Sequence, residues 1–295
     1  MQYFSQYHFI SLKSFGDLVI ANSCLRRIEP KHVIKISQII GSHLTELNEA
    51  LGYNWKVTTL TAKEPDVPAI FDVRKRGALK ALSSAFYLRS RIKSVDSKHE
   101  AFLVFDRVSR REQFLAAGHP ILSLSENADN IYQAYLAFFK QHDIAFDPEI
   151  QSSISRGNGI GIFPGSRIAE KNMAHKLIVE LLHIISRHKE DATLYLLEGE
   201  RPDLEGIGIP YKIVPRSFKA MCDAVKGCSI VIGADSMPAH IAETYGKPVF
   251  VFSPVPNRYW LPLSSFEKDY WALFDDKSYA SQLEIFIASQ ADNPE

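Results

Sequence analysis

Apolar positions along this chain fall into short runs and helical stripes that alternate from one end to the other. "YHFISLK" is a run of strand length; the polar turn "SFGD" follows it, and then "LVIANSCLRRI", whose Leu18, Cys24, Leu25 and Ile28 can share one helical face. "AFLVFD" and "PILSLS" read as buried strands. "NADNIYQAYLAFFKQH" reads as a helix with Ile131, Tyr135, Phe138 and Phe139 on one stripe. The stretch "DIAFDPEIQSSISRGNG" then breaks the pattern with Pro148, Gly157 and Gly159. Beyond it the alternation is more regular: "GIGIF", "ATLYLLEG", "SIVIGA" and "PVFVFSP" predict strands. "NMAHKLIVELLHIISRH" predicts a helix carrying Met173, Leu177, Leu181 and Ile184 or Ile185, and "SFKAMCDAVKG" a short helix that Ser217 caps and Gly227 closes.

Strands that alternate with helices imply an α/β fold with parallel sheets and right-handed crossovers. The chain of 295 residues, 46% hydrophobic, is long enough for two packed cores. The polar break places a domain boundary at 152/153, giving domains 1–152 and 153–295. A last helix over "SYASQLEIFIASQ" can pack on its own domain or back on the first. The middle, before the strand "AFLVFD", is ambiguous.

Charge changes the picture only locally. Lys plus Arg equal Asp plus Glu at 34 each, so the overall balance does not suggest bulk nucleic-acid binding. Between Arg74 and Arg111, however, eleven Lys/Arg stand against three acidic residues. That segment is either a solvated helical face or a dock for an anionic partner or membrane surface. Three cysteines, Cys24, Cys222 and Cys228, form no CxxC pattern and fit a reducing compartment as core fillers. Neither a secretory leader nor an apolar run of roughly 18 residues is evident, so a soluble, cytoplasmic protein is expected.

In open parallel sheets, ligands bind beyond the carboxyl ends of strands, where helices begin. Four polar loops are expected there: 14–17, 164–171, 198–201 and 234–240. "FPGSRIAEK" sets Gly165 and Ser166, suited to close backbone approach, beside Arg167 and Lys171; the set suits a phosphate, although Ser and Lys can also merely cap a helix. It has no Walker spacing. "GADSMPAH" puts Asp235 and Ser236 at a strand end, Pro238 near the first helical position and His240 just after, where a simple cap would explain one residue but not the set. Gly16 would let the backbone turn sharply, so that Asp17 can face a cleft as a general base or cap the next helix. Glu200 can accept a pair of ribose hydroxyls or lie on the surface.

Three segments in order resemble the heptosyltransferase family of bacterial lipopolysaccharide assembly, glycosyltransferase family 9: "SFGDLVIANSCLRRI", "FPGSRIAEK" and "CSIVIGADSMPAHIAETYGKPVFVFSP". The resemblance implies a GT-B architecture, two Rossmann-like domains facing an interdomain cleft, the first for the acceptor and the second for a nucleotide sugar. It implies an inverting transfer of a sugar such as heptose from a nucleotide-diphosphate donor to a lipopolysaccharide or other surface-glycan acceptor. Asp17 matches the base, Ser166 and Lys171 the diphosphate contacts, Glu200 the ribose contact, Asp235 a donor-sugar contact, and Ser236 through His240 the turn at the diphosphate. No Asp-x-Asp pair suggests a metal, and no cofactor beyond the donor is expected. The basic segment would then meet an anionic acceptor or the cytoplasmic face of the inner membrane. Met237 stands where the family usually has Gly, and "EKNMAH" lacks the usual Trp-Pro. An epimerase or hydrolase of similar fold, or a catalytically silent nucleotide-sugar-binding protein, stays open as an alternative.

Overall fold

The structure, a computed structural model, describes residues 6–29, 35–52, 57–59, 67–94, 101–124, 127–148, 157–188, 191–199 and 210–291. The chain divides into two compact units, Met1–Ala128 with Gln133–Pro148, and Asp129–Tyr132 with Glu149–Glu295. The expected boundary at 152/153 lies outside the described residues.

The first unit is built on β1 (Gln6–Ser11), β2 (Lys35–Ile40), β3 (Val57–Thr59), β4 (Ala101–Phe105) and β5 (Ile121–Ser123). These pair in the order β3-β2-β1-β4-β5, and every pairing is parallel. Side chains alternate across β1, so Tyr7 and Phe9 meet Phe138 of the helix Ile131–Gln141 edge-on, at 5.9 and 5.7 Å between ring centroids. Leu12, of opposite parity, joins Leu103, Phe105, Leu88 and Ile92 in a core on the other face. The expected stripe of Ile131, Tyr135, Phe138 and Phe139 is buried.

The second unit carries β6 (Ile160–Phe163), β7 (Ala192–Leu197), β8 (Tyr211–Val214), β9 (Ile230–Ala234), β10 (Val249–Ser253) and β11 (Trp271–Leu273). Their order is β11-β10-β9-β6-β7-β8, again parallel throughout. One sheet face, with Ile162, Leu196, Ile232 and Phe252, packs against the helix His175–Arg187 through Leu177, Leu181, Ile184 and Ile185. The last helix, Tyr279–Ala291, belongs to this same core: Leu283, Phe286 and Ile287 are buried in it, and Phe286 lies 5.6 Å from Phe250. Ser217 caps the helix Phe218–Lys226 by accepting from the Ala220 N–H at 3.2 Å, as its sequence predicts. All three cysteines are buried and none is in a disulfide. Among the described residues no helix is long and apolar enough to cross a membrane.

Candidate functional site

In each sheet the strand order reverses at one place, between β1 and β4 in the first unit and between β6 and β9 in the second. Chain segments leaving neighbouring strands at such a point run in opposite directions over the sheet and leave a crevice at the strands' carboxyl ends. The loops after β6 and β9 are the 164–171 and 234–240 segments, so the topology of the second unit places two of the four candidate loops side by side.

Side-chain geometry ties these two loops together. Lys171 ends a short 3₁₀ turn, Ala169–Lys171, and its Nζ lies 2.6 Å from Asp235 Oδ2. Asp235 is placed by its own backbone N–H, which donates to the Phe252 carbonyl at 2.8 Å and continues the sheet one residue past β9. Its side chain is 7% exposed and that of Lys171 27%, so the pair is partly withdrawn from water. The Ser236 hydroxyl donates to the Gly165 carbonyl at 3.1 Å, a second link between the same loops. Within 164–171, the Ser166 N–H donates to Asn172 Oδ1 at 2.6 Å and Ser166 Oγ accepts from the Ile168 N–H at 3.2 Å. The loop is thereby closed by its own polar groups, while Arg167 is exposed. Glu200 lies outside the described residues.

Ser236 is the N-cap of the helix Met237–Thr244, yet its hydroxyl makes no capping bond. Pro238 sits in the first turn, where its missing N–H costs nothing. Met237 is the first helical residue and is not among the residues with positive φ, so the turn does not need the backbone freedom of the glycine usual in the family. His240 belongs to the same helix and is buried. Its Nδ1 lies 3.1 Å from the Tyr132 hydroxyl, and the two rings stack at 6.2 Å between centroids. Burial pushes the imidazole pKa down to about 4, with Asp235 opposing and Lys171 reinforcing the shift. A neutral ring can then accept from Tyr132 at Nδ1, which leaves the proton on Nε2.

Tyr132 and Asn130 are residues that sequence reasoning missed. The Asn130 side chain accepts from the Tyr132 N–H at 2.9 Å and donates to the Leu261 carbonyl at 2.9 Å, fixing the short segment that the second unit holds. The only local signal was an Asn one residue before a helix, which reads as an ordinary cap.

Asp17 differs from its expected setting. The first helix starts at Phe15, not at Leu18, because Ser14 adopts extended backbone and its Oγ accepts from the Asp17 N–H at 3.3 Å. Gly16 is helical, without positive φ, so it makes no sharp turn. Asp17 thus occupies the first helical turn, near the positive end of the helix. Its Oδ2 is buried with no hydrogen-bond partner. Burial raises the carboxyl pKa above 3.8; Lys13 opposes the rise, and Asp106, just past β4, adds to it. A carboxylate with one unused oxygen and raised basicity can take a proton.

Among the described residues there is no cluster of three or more His, Cys, Asp or Glu arranged to hold a metal. The second unit carries a cation–carboxylate pair at a helix start, and the first, by itself, a carboxylate with one unpartnered oxygen.

No protein-family model matches the chain, and no curated protein matches it by sequence. Its fold, in contrast, is shared with solved glycosyltransferases. The Escherichia coli heptosyltransferase WaaC with ADP is similar over 97% of this chain and 99% of its own, at 10% identity and a TM-score of 0.64. A family 9 glycosyltransferase from Veillonella parvula is similar over 98% and 92%, at 14% identity and a TM-score of 0.65. The Escherichia coli ADP-heptose lipopolysaccharide heptosyltransferase II is similar over 97% and 98%, at 12% identity and a TM-score of 0.56. At these identities the likeness establishes the α/β GT-B type of fold.

Proposed function

We propose that the protein is an inverting glycosyltransferase that moves a sugar, heptose or a close relative, from a nucleotide diphosphate to a hydroxyl of a lipopolysaccharide or other surface glycan. The observation that carries this reading is the Lys171–Asp235 pair, set where the strand order reverses and beside the uncapped start of the helix Met237–Thr244. The fold it shares with heptosyltransferases, one of them solved with ADP, supports the same assignment.

In this mechanism Asp17 takes the proton of the acceptor hydroxyl while its oxygen attacks the anomeric carbon. The carbon–oxygen bond to the diphosphate breaks, the electron pair stays on the phosphate oxygen, and the configuration inverts. Lys171 donates one N–H to Asp235 and keeps two for the departing diphosphate. The helix start adds a positive partial charge directed at the same group, so the developing charge is met without a metal. In this reading Gly165, Ser166, Arg167 and the 236–238 turn face the diphosphate, and Asp235 accepts a donor-sugar hydroxyl; the ribose contact falls to Glu200, by the family resemblance alone.

The test is a thermal-shift panel of nucleoside diphosphates and their sugars, since a selective ligand stabilises by mass action. One diphosphate and its sugar should raise the melting temperature, and Lys171→Met should remove the effect. Stabilisation by none of them overturns the reading. Donor consumed without acceptor would point to a hydrolase or epimerase, and binding without transfer to any glycan to a silent nucleotide-sugar-binding protein.

A further inference from the structure

Tyr132 and Asn130 lie wholly out of water. A phenylalanine would fill the same volume as Tyr132 without a polar atom, and a hydroxyl carried to full burial costs free energy unless it is hydrogen-bonded. This hydroxyl has His240 Nδ1 at 3.1 Å. Its place is fixed from both ends. Asn130 Oδ1 accepts the Tyr132 N–H at 2.9 Å while its Nδ2 donates to the Leu261 carbonyl at 2.9 Å, and the phenol ring lies within 29° of the plane of the imidazole. On the other side, the Thr244 hydroxyl donates to the His240 carbonyl at 2.9 Å. Tyrosine and imidazole therefore meet with little freedom left to either.

A neutral imidazole has one N–H and one lone pair, so the bond made by one nitrogen decides what the other can do. With the phenol proton directed at Nδ1, that nitrogen accepts and Nε2 carries the proton. The opposite tautomer would leave a lone pair at Nε2. Asp235 and Lys171 both act on the charge of the ring, which makes His240 a close neighbour of that pair, and burial keeps the ring uncharged. Beside the start of the helix Met237–Thr244, an N–H would attract an anion and a lone pair would repel it.

We propose that Tyr132 is a positioning residue: by donating to Nδ1 it holds the His240 proton on Nε2, so that the ring offers an N–H to an oxyanion beside the Lys171–Asp235 pair. Tyr132 itself touches no ligand. The proposal deepens the reading above and rests on it for the identity of the anion, a diphosphate. Lys171 supplies charge; His240 supplies a directional bond that stays the same across the range in which a free histidine titrates.

Nitrogen-15 correlation spectra of the imidazole groups in the full-length protein, with inorganic pyrophosphate as the probe, test this. The signal lost in His240→Gln assigns His240 among the ten histidines. In the wild type at neutral pH it should show the Nε2–H tautomer and move on addition of pyrophosphate. Tyr132→Phe should give a mixture of tautomers and weaken pyrophosphate binding about fivefold, the effect of one lost hydrogen bond. A glutamine carries an N–H close to the place of Nε2, whereas an asparagine reaches only the place of Nδ1. His240→Gln should therefore bind within about threefold of wild type and His240→Asn about tenfold more weakly. In the His240→Gln background there is no tautomer to set, so Tyr132→Phe should change nothing further. An Nδ1–H tautomer in the wild type, a tautomer unmoved by Tyr132→Phe, or a fivefold loss that persists in the His240→Gln background overturns the proposal, the last because it would mean that Tyr132 acts through packing. If the tautomer responds to Tyr132→Phe as stated but pyrophosphate leaves the His240 signal unmoved, the positioning stands and the diphosphate reading falls.

Discussion

The two units reverse their strand order in the same way and each sets an aspartate beyond the central strand, but the two carboxylates are used oppositely. Asp235 has the Lys171 ammonium at 2.6 Å. Asp17 has its Oδ2 buried and without a hydrogen-bond partner; desolvation raises its pKa, with Lys13 and hydrogen bonding to Ser14 opposing the rise and Asp106 adding to it. A carboxylate engaged by a cation is a clamp, since the ion pair fixes its position and holds it ionised. One that is desolvated and has an unpartnered oxygen holds a proton more readily than usual, which is what a base requires. An aspartate that follows a strand of a parallel sheet can therefore serve as either device, and its neighbours decide which.

Asp17→Asn should break this contrast most sharply. Turnover should fall about 10²–10⁴-fold while the nucleotide dissociation constant, measured calorimetrically, stays unchanged. Stability should move the other way. The folded pKa of Asp17 lies above its unfolded value of 3.8, so the group favours the native state fully below that value and loses the advantage as pH rises through the folded pKa. At neutral pH the ionised carboxylate is a cost, and Asn should raise the melting temperature. Turnover and stability falling together would make Asp17 a structural residue and end the contrast.

His240 sharpens the comparison from the second unit. Its folded pKa of about 4 lies below the ordinary 6.5, so it contributes stability above pH 6.5 that is lost as pH falls towards 4, up to about 3 kcal/mol. Urea unfolding of wild type should show this acid limb, and His240→Gln should flatten it; an unchanged limb would mean that other groups carry it.

Lys171→Met should cost about 2 kcal/mol by leaving Asp235 without its cation, less than for a fully buried pair because Lys171 keeps some solvent contact. Adding Asp235→Asn should restore most of that loss, as a double-mutant cycle would show. The smallest effect concerns the first unit's helix start. A Cβ on Gly16 would meet only Ser14 Oγ, at 3.9 Å, and the backbone there is helical, so Gly16→Ala should stabilise by about 0.5 kcal/mol in a thermal melt. If turnover nevertheless falls, a ligand approaches that backbone closely.

Much of the second unit was legible because its strands are apolar runs and its helices carry clean stripes, such as Leu177, Leu181, Ile184 and Ile185. The first unit hid more. In β2, "KISQII", Ser37 and Gln38 are buried polar residues, so the alternation that marks a strand is masked. The second unit hid one strand too: in β8, "YKIV", three of four residues are exposed, which removes the contrast between faces. The sequence set Asp17 on a turn, because Gly16 is a strong turn signal and only the Ser14 capping bond shows that the helix has already begun.

The sequence by itself determined the alternation of strand and helix, the Ser217 cap and the loops where chemistry can sit. These follow from periodicity and from contacts a few residues apart. Tertiary structure alone decided which loops meet. Lys171 reaches Asp235 across 64 residues and Tyr132 reaches His240 across 108, and neither distance is encoded locally. Lys171 meets Asp235 because β9, not β7, covers one side of β6 at the reversal; strand order is a property of the whole sheet.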